Sequence, residues 1–95
     1  MGANVNERLR ARVRGIVQGV GFRYFTRECA ARLELTGWVR NVADGSVELV
    51  AEGPRADLER LIERITAGPA QGSVSGVETD WLKATDEFGS FTVRG

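Results

Sequence analysis

From Leu9 to Val17 apolar and polar residues alternate: Leu9, Ala11, Val13, Gly15 and Val17 fall on one side, Arg8, Arg10, Arg12, Arg14 and Ile16 on the other. A period of two predicts a half-buried β-strand with one apolar face. The stretch Gln18-Gly19-Val20-Gly21 breaks the alternation. Phe22, Phe25, Cys29, Ala30 and Leu33 then recur at helical spacing, which predicts an amphipathic helix from Phe22 to about Leu33. Gly37 to Val42 (GWVRNV) reads as a second strand and Asp44-Gly45 as a hairpin turn. Ser46 to Glu52 alternates again, with Val47, Leu49 and Ala51 opposite Ser46, Glu48, Val50 and Glu52.

Gly53-Pro54 opens a second helix, with Pro expected at the first helical position, where a missing N–H costs nothing. Its apolar stripe is Leu58, Leu61, Ile62 and Ile65, and Gly68-Pro69 ends it. A strand from about Val74 to Lys83 and a short one from Phe91 to Val93 complete the order βαββαβ with a terminal β hook. Two βαβ halves joined by a hairpin predict a ferredoxin-like α/β (α+β) sandwich, an antiparallel sheet with both helices on one face.

Composition narrows the chemistry. The chain has 95 residues, which suits one domain; residues 1–7 read as a flexible polar tail and residues 8–95 as the domain. Thirteen Lys+Arg balance thirteen Asp+Glu, and zero net charge argues against a dedicated nucleic-acid binder. With no His and one Cys, zinc sites, disulfide frameworks and His-dependent triads are excluded. No apolar run reaches the ~18 residues of a membrane span, and Met1 to Glu7 lacks the apolar core of a signal peptide. A cytoplasmic monomer without metal or cofactor is the expectation.

The charges are unevenly spread. Residues 1–40 hold eight basic and three acidic side chains, and residues 41–95 hold five and ten. In the predicted topology the first strand lies between the third and fourth. Arg8, Arg10, Arg12 and Arg14 would then face Glu48 and Glu52 on one side and Glu78 and Asp80 on the other. An open-face ladder of opposite charges follows, each pair adding a few tenths of a kcal/mol.

The segment with most chemical content is Gly15-Ile16-Val17-Gln18-Gly19-Val20-Gly21-Phe22-Arg23. A strand ends, a glycine loop turns, and a helix begins with Arg as its second residue. The first helical turn has unpaired N–H groups and a partial positive charge, so it attracts anions. Glycines let successive N–H groups converge, and a guanidinium there completes a seat for a phosphoryl group. Two glycines serve any tight strand-to-helix turn as well, so the pattern alone leaves both readings open. A Walker loop is excluded because no Gly-Lys-Ser/Thr follows, and a dinucleotide fingerprint because Tyr24 stands where its third glycine would. Cys29 lies on the helix's apolar stripe rather than in the loop, which argues against a cysteine nucleophile. Thr26, one turn past Phe22, is placed to hydrogen-bond near the loop.

Val17-Gln18-Gly19-Val20-Gly21-Phe22-Arg23, Gly37-Trp38-Val39-Arg40-Asn41, Asp44-Gly45-Ser46-Val47-Glu48 and Gly68-Pro69 together resemble the acylphosphatase family, in order and spacing, from about Leu9 to Arg94. The resemblance implies the same sandwich and hydrolysis of the carboxyl–phosphate bond of acyl phosphates, with inorganic phosphate as product and competitor. It also implies that Arg23 and the backbone of Gln18, Gly19, Val20, Gly21 and Phe22 hold the phosphate, and that Asn41 holds the attacking water. Tyr24 and Val42 take no role from it. The rival readings are a domain acting on carbamoyl phosphate within a larger maturation protein and a non-catalytic anion-binding module. The absence of a downstream module favours the free-standing enzyme. Aromatic stacking platforms for RNA are missing from the first and third strands.

Overall fold

The computed structural model describes residues 5–95. Its elements are β1 (Asn6–Ile16), α1 (Phe22–Arg32), β2 (Thr36–Asn41), β3 (Val47–Pro54), α2 (Arg55–Ala67), β4 (Ser73–Lys83) and β5 (Phe91–Val93). The strands form one sheet in the order β4-β1-β3-β2-β5. β1 pairs antiparallel with β3 and β4, and β2 antiparallel with β3. The terminal hook departs from the all-antiparallel expectation, because β5 runs parallel to β2, with Gly37 opposite Phe91 and Val39 opposite Val93. Direction explains it. β4 runs opposite to β2, and the turn after β4 reverses the chain once more, so β5 arrives in the direction of β2.

Most boundaries move by a residue, and two shifts change the packing. β1 takes in Asn6 and Glu7, assigned to the tail from sequence, because their Cα partners on β3 are Pro54 and Gly53. Glu7 also accepts from Arg55 at 3.1 Å. Of the rest of that tail expectation, Val5 is exposed and precedes the strand, and residues 1–4 lie outside the described residues. Pro54 is the N-cap of α2 rather than its first residue, with φ −63° and ψ 144°. Pairing with Asn6 keeps it extended, and its fixed φ suits a strand end as well as a helix start.

The core lies between the sheet and both helices. Leu9, Ala11 and Val13 of β1, Val39 of β2 and Val47, Leu49 and Ala51 of β3 pack against Phe22, Cys29 and Ala30 of α1 and Leu58, Leu61 and Ile65 of α2. The alternation of β1 and β3 is thus spent on covering one sheet face with two amphipathic helices.

The opposite face carries the charge ladder, in a different form from the open one expected. Arg8 pairs with Glu52 and Arg10 with Glu48, each at 2.7 Å, while Arg14 reaches Glu78 at 3.5 Å. Arg10 turns to Glu48 rather than to Asp80, its register partner on β4. Arg12 and Arg14 approach Asp44 at 3.5 and 3.3 Å. Arg40 of β2 shares Glu48 at 2.7 Å, and the N–H groups of Thr85 and Asp86 donate to Glu52, both at 2.9 Å. Glu48 and Glu52 are only 2% and 3% exposed, so these are buried carboxylates with several donors. Such hydrogen bonds are worth about 1.5–3 kcal/mol each, against a substantial desolvation cost.

At the end of β1 the pairing with β4 shifts between Arg14 and Gly15. Gly15 has φ 130°, and a Cβ there would collide with the carbonyl of Ser73. The bulge bends the strand and brings it close to β4, which gives this glycine its reason. It also sets the direction in which the chain leaves β1.

Candidate active site

Leaving β1, the chain turns through Val17–Gly21 into α1. Gly19 and Gly21 adopt φ 76° and 77°, a left-handed conformation that L side chains rarely take. Gly21 is the N-cap of α1, and no side chain caps that end. The first-turn N–H groups of Phe22, Arg23 and Tyr24 therefore lack intrahelical partners and point out of the helix end.

Asn41 ends β2, two strands away from β1. Val47 of β3 is the register partner of both Val13 and Asn41, so these three residues form one row across the sheet. The loop after β1 crosses that row. The Gln18 amide Nε2 donates to the Val42 carbonyl at 2.7 Å and to the Ser46 carbonyl at 2.8 Å. The hairpin itself is closed by the Val42 N–H donating to Ser46 at 2.8 Å. Asp44 firms the turn, accepting from the Ser46 hydroxyl at 2.5 Å and the Ser46 N–H at 2.9 Å. Those two bonds, with Arg14 and Arg12 nearby, hold the Asp44 carboxyl down to about 2.

Between the loop and the end of β2 lies a cavity of about 140 Å³, lined by Val17, Gly19, Gly21, Phe22, Arg23, Tyr24 and Asn41. The residues singled out from sequence sort into two groups. Arg23, Asn41, Gly19, Gly21 and Phe22 are brought together around the cavity. Gln18 and Val20 are not among its lining residues: the Gln18 side chain is spent on the hairpin carbonyls, and Val20 packs against the core. The Thr26 hydroxyl donates to the Phe22 carbonyl at 2.9 Å, inside the helix's own first turn. Tyr24 and Val17 line the cavity without having been assigned to it. Tyr24's place directly after Arg23 in the first helical turn was the available signal.

The two polar side chains differ in their partners. Arg23 is half-buried, and its Nη1 donates to the Arg94 carbonyl at 2.7 Å. That bond uses one of five guanidinium N–H groups and draws the side chain toward the C-terminal segment. Asn41 Oδ1 is buried and has no hydrogen-bond partner among the described residues. Such orphaned acceptors are uncommon, since an unpaired buried oxygen costs about 1–3 kcal/mol. Size does not distinguish this cavity. A hollow of about 380 Å³ between α2 and β4, lined by Ile62, Thr66, Val74 and Val77 among others, is larger but has no charged lining residue. Cys29 lies away from the site, and burial raises the pKa of its thiol. Among the described residues no group of three or more Cys, Asp or Glu side chains is placed to hold a metal ion.

The acylphosphatase family model matches residues 9–93. An acylphosphatase of Salinibacter ruber is 53% identical over 94 residues, covering 99% of each chain. Among solved structures, an acylphosphatase from Bacillus subtilis superposes with a TM-score of 0.90 at 35% identity, covering 94% of this chain and 99% of that one. One from Coxiella burnetii superposes with a TM-score of 0.89 at 40% identity, covering 95% and 94%. A ferredoxin-like sandwich matched along nearly its whole length by these relatives defines the class: this chain belongs to the acylphosphatase family.

Proposed function

We propose that this chain hydrolyses acyl phosphates to a carboxylate and inorganic phosphate in the cavity between Gly19 and Asn41, without a metal. The phosphoryl oxygens lie against Arg23 and the N–H groups at the start of α1, where charge and dipole favour an anion. Water held by Asn41 attacks phosphorus, the bond from phosphorus to the acyl oxygen breaks, and the electron pair leaves on the carboxylate. The water's proton passes to a phosphate oxygen. A carboxylate whose conjugate acid has a pKa of about 4 leaves unaided, so no general acid is required. The remaining work is positioning and charge neutralisation.

The observation that carries this reading is the buried, unpartnered Oδ1 of Asn41 in the wall that Arg23 shares. An acceptor oxygen without a protein donor suits a water that must be aligned with a phosphoryl group. A carboxylate in its place would repel the substrate. The free thiol of Cys29 accords with the reading of a chain working in the reducing cytoplasm.

The test is hydrolysis of acetyl, benzoyl and carbamoyl phosphates in chelator-treated buffer, with inorganic phosphate as competitor. Turnover of the acyl phosphates with competition by millimolar phosphate is expected. Turnover of carbamoyl phosphate alone would replace the substrate class, and no turnover of any of the three would leave an anion-binding module instead.

A further inference from the structure

We propose that Tyr24 forms the contact surface for the acyl group and makes the site select aromatic and bulky apolar acyl phosphates over acetyl phosphate; this rests on the reaction reading above. A cavity of about 140 Å³ holds roughly four to five waters' share of liquid volume, enough for a phosphoryl group and its attacking water. The acyl group then lies at the mouth. What it meets there follows from the lining. Gly19 and Gly21 have no side chains, Arg23 is engaged with anionic oxygens, and Asn41 lies on the side of the water.

Val17 and Phe22 are each only 1% exposed, so their side chains belong to the core. Tyr24 remains. It is 60% exposed, an unusual state for a large aromatic ring, and of the three lining residues with apolar or aromatic side chains it is the one not buried in the core. Its backbone N–H belongs to the same first turn of α1 that faces the phosphoryl group, so the ring stands one residue from Arg23. The Arg27 guanidinium lies 5.8 Å from the ring centroid, within cation–π range.

Steady-state kinetics of the full chain with acetyl and benzoyl phosphates test the assignment, in wild type, Tyr24→Ala and Tyr24→Phe. The readout is the ratio of kcat/KM for benzoyl to that for acetyl phosphate. Tyr24→Ala is expected to lower this ratio by roughly threefold to tenfold, mainly through a higher KM for benzoyl phosphate. Tyr24→Phe, which keeps the ring, is expected to restore it. An unchanged ratio in Tyr24→Ala, or equal losses on both substrates, overturns the assignment while leaving the reaction intact. A wild-type chain inactive on both substrates overturns the reaction reading and this inference with it.

Discussion

The side-chain amide of Gln18 donates to the carbonyl of Val42 at 2.7 Å, joining the glycine loop to the residue directly after Asn41. A second bond from the same nitrogen reaches Ser46, so one side chain ties the loop to both arms of the hairpin. Gln18→Ala is expected to reduce stability by about 1–2 kcal/mol, since both carbonyls keep partners within the hairpin. The kinetic loss should exceed what that figure suggests, at roughly tenfold or more in kcat, because loop and Asn41 no longer share a fixed separation. Urea unfolding alongside kcat separates the two effects.

Truncating the two polar side chains of the cavity should separate activity from stability. Arg23→Ala is expected to lower kcat by roughly 10³-fold or more, and Asn41→Ala by roughly 10²-fold or more. Asn41→Ala also removes an unpaired buried oxygen, so its unfolding free energy should fall by less than about 1 kcal/mol or rise. Retention of wild-type turnover in either variant removes that residue from the mechanism.

Arg23 is held through the main chain of Arg94, and this distinguishes two C-terminal changes. Arg94→Ala keeps the accepting carbonyl and loses the guanidinium stacked 4.5 Å from the centroid of Trp38. It should cost about 0.5–1 kcal/mol of stability and leave the Arg23 contact in place. Deleting residues 94–95 removes the acceptor, and kcat/KM should drop roughly tenfold or more. Equal kinetic losses in the two variants would show that the side chain, not the carbonyl, governs Arg23.

The buried carboxylates set the acid limit of the fold. Burial alone would raise the pKa of Glu48, but hydrogen bonds from Arg40 and Arg10 hold it below the ordinary carboxylate value. Glu52 behaves likewise, burial being overcome by the Thr85 N–H, Arg8 and the Asp86 N–H. A folded-state pKa below the unfolded one, about 4.3, gives stability that is fully present above it and lost as pH falls through the folded value. Urea midpoints should therefore be flat above about pH 5.5 and decline steeply below about pH 4. Glu48→Gln leaves two half-exposed arginines without their shared anion and should cost roughly 1–3 kcal/mol at neutral pH, with a shallower acid decline.

Much of this architecture was legible because periodicity reports burial directly. The alternation of β1 and the stripes of α1 and α2 each named core residues that the structure buries. Arg23 and Asn41 were singled out by the motifs of the family resemblance rather than by their local settings, since a helix start and a strand end are ordinary places for an Arg and an Asn, and the structure brings the two to one cavity. What depends on register was not. Nothing local to Arg40 reveals that it shares Glu48 with Arg10, since that requires β2 and β1 to flank β3 at a given stagger. Pro54 looked like a helix residue because its φ fits both helix and strand; its pairing with Asn6 decided the matter. The side chain of Gln18 was not legible either, because the carbonyls it bonds lie 24 and 28 positions further along the chain.

The bond from Arg23 to Arg94 spans 71 positions of sequence. Its consequence is that the site has no local precursor during folding. A chain with β1, the loop and α1 in place still lacks the acceptor that draws Arg23 to its station, and lacks the hairpin carbonyls that hold Gln18. On the proposed roles of Arg23 and Gln18, competence for catalysis is a property of the closed chain as a whole, and the return of turnover on refolding should follow the meeting of its distant segments.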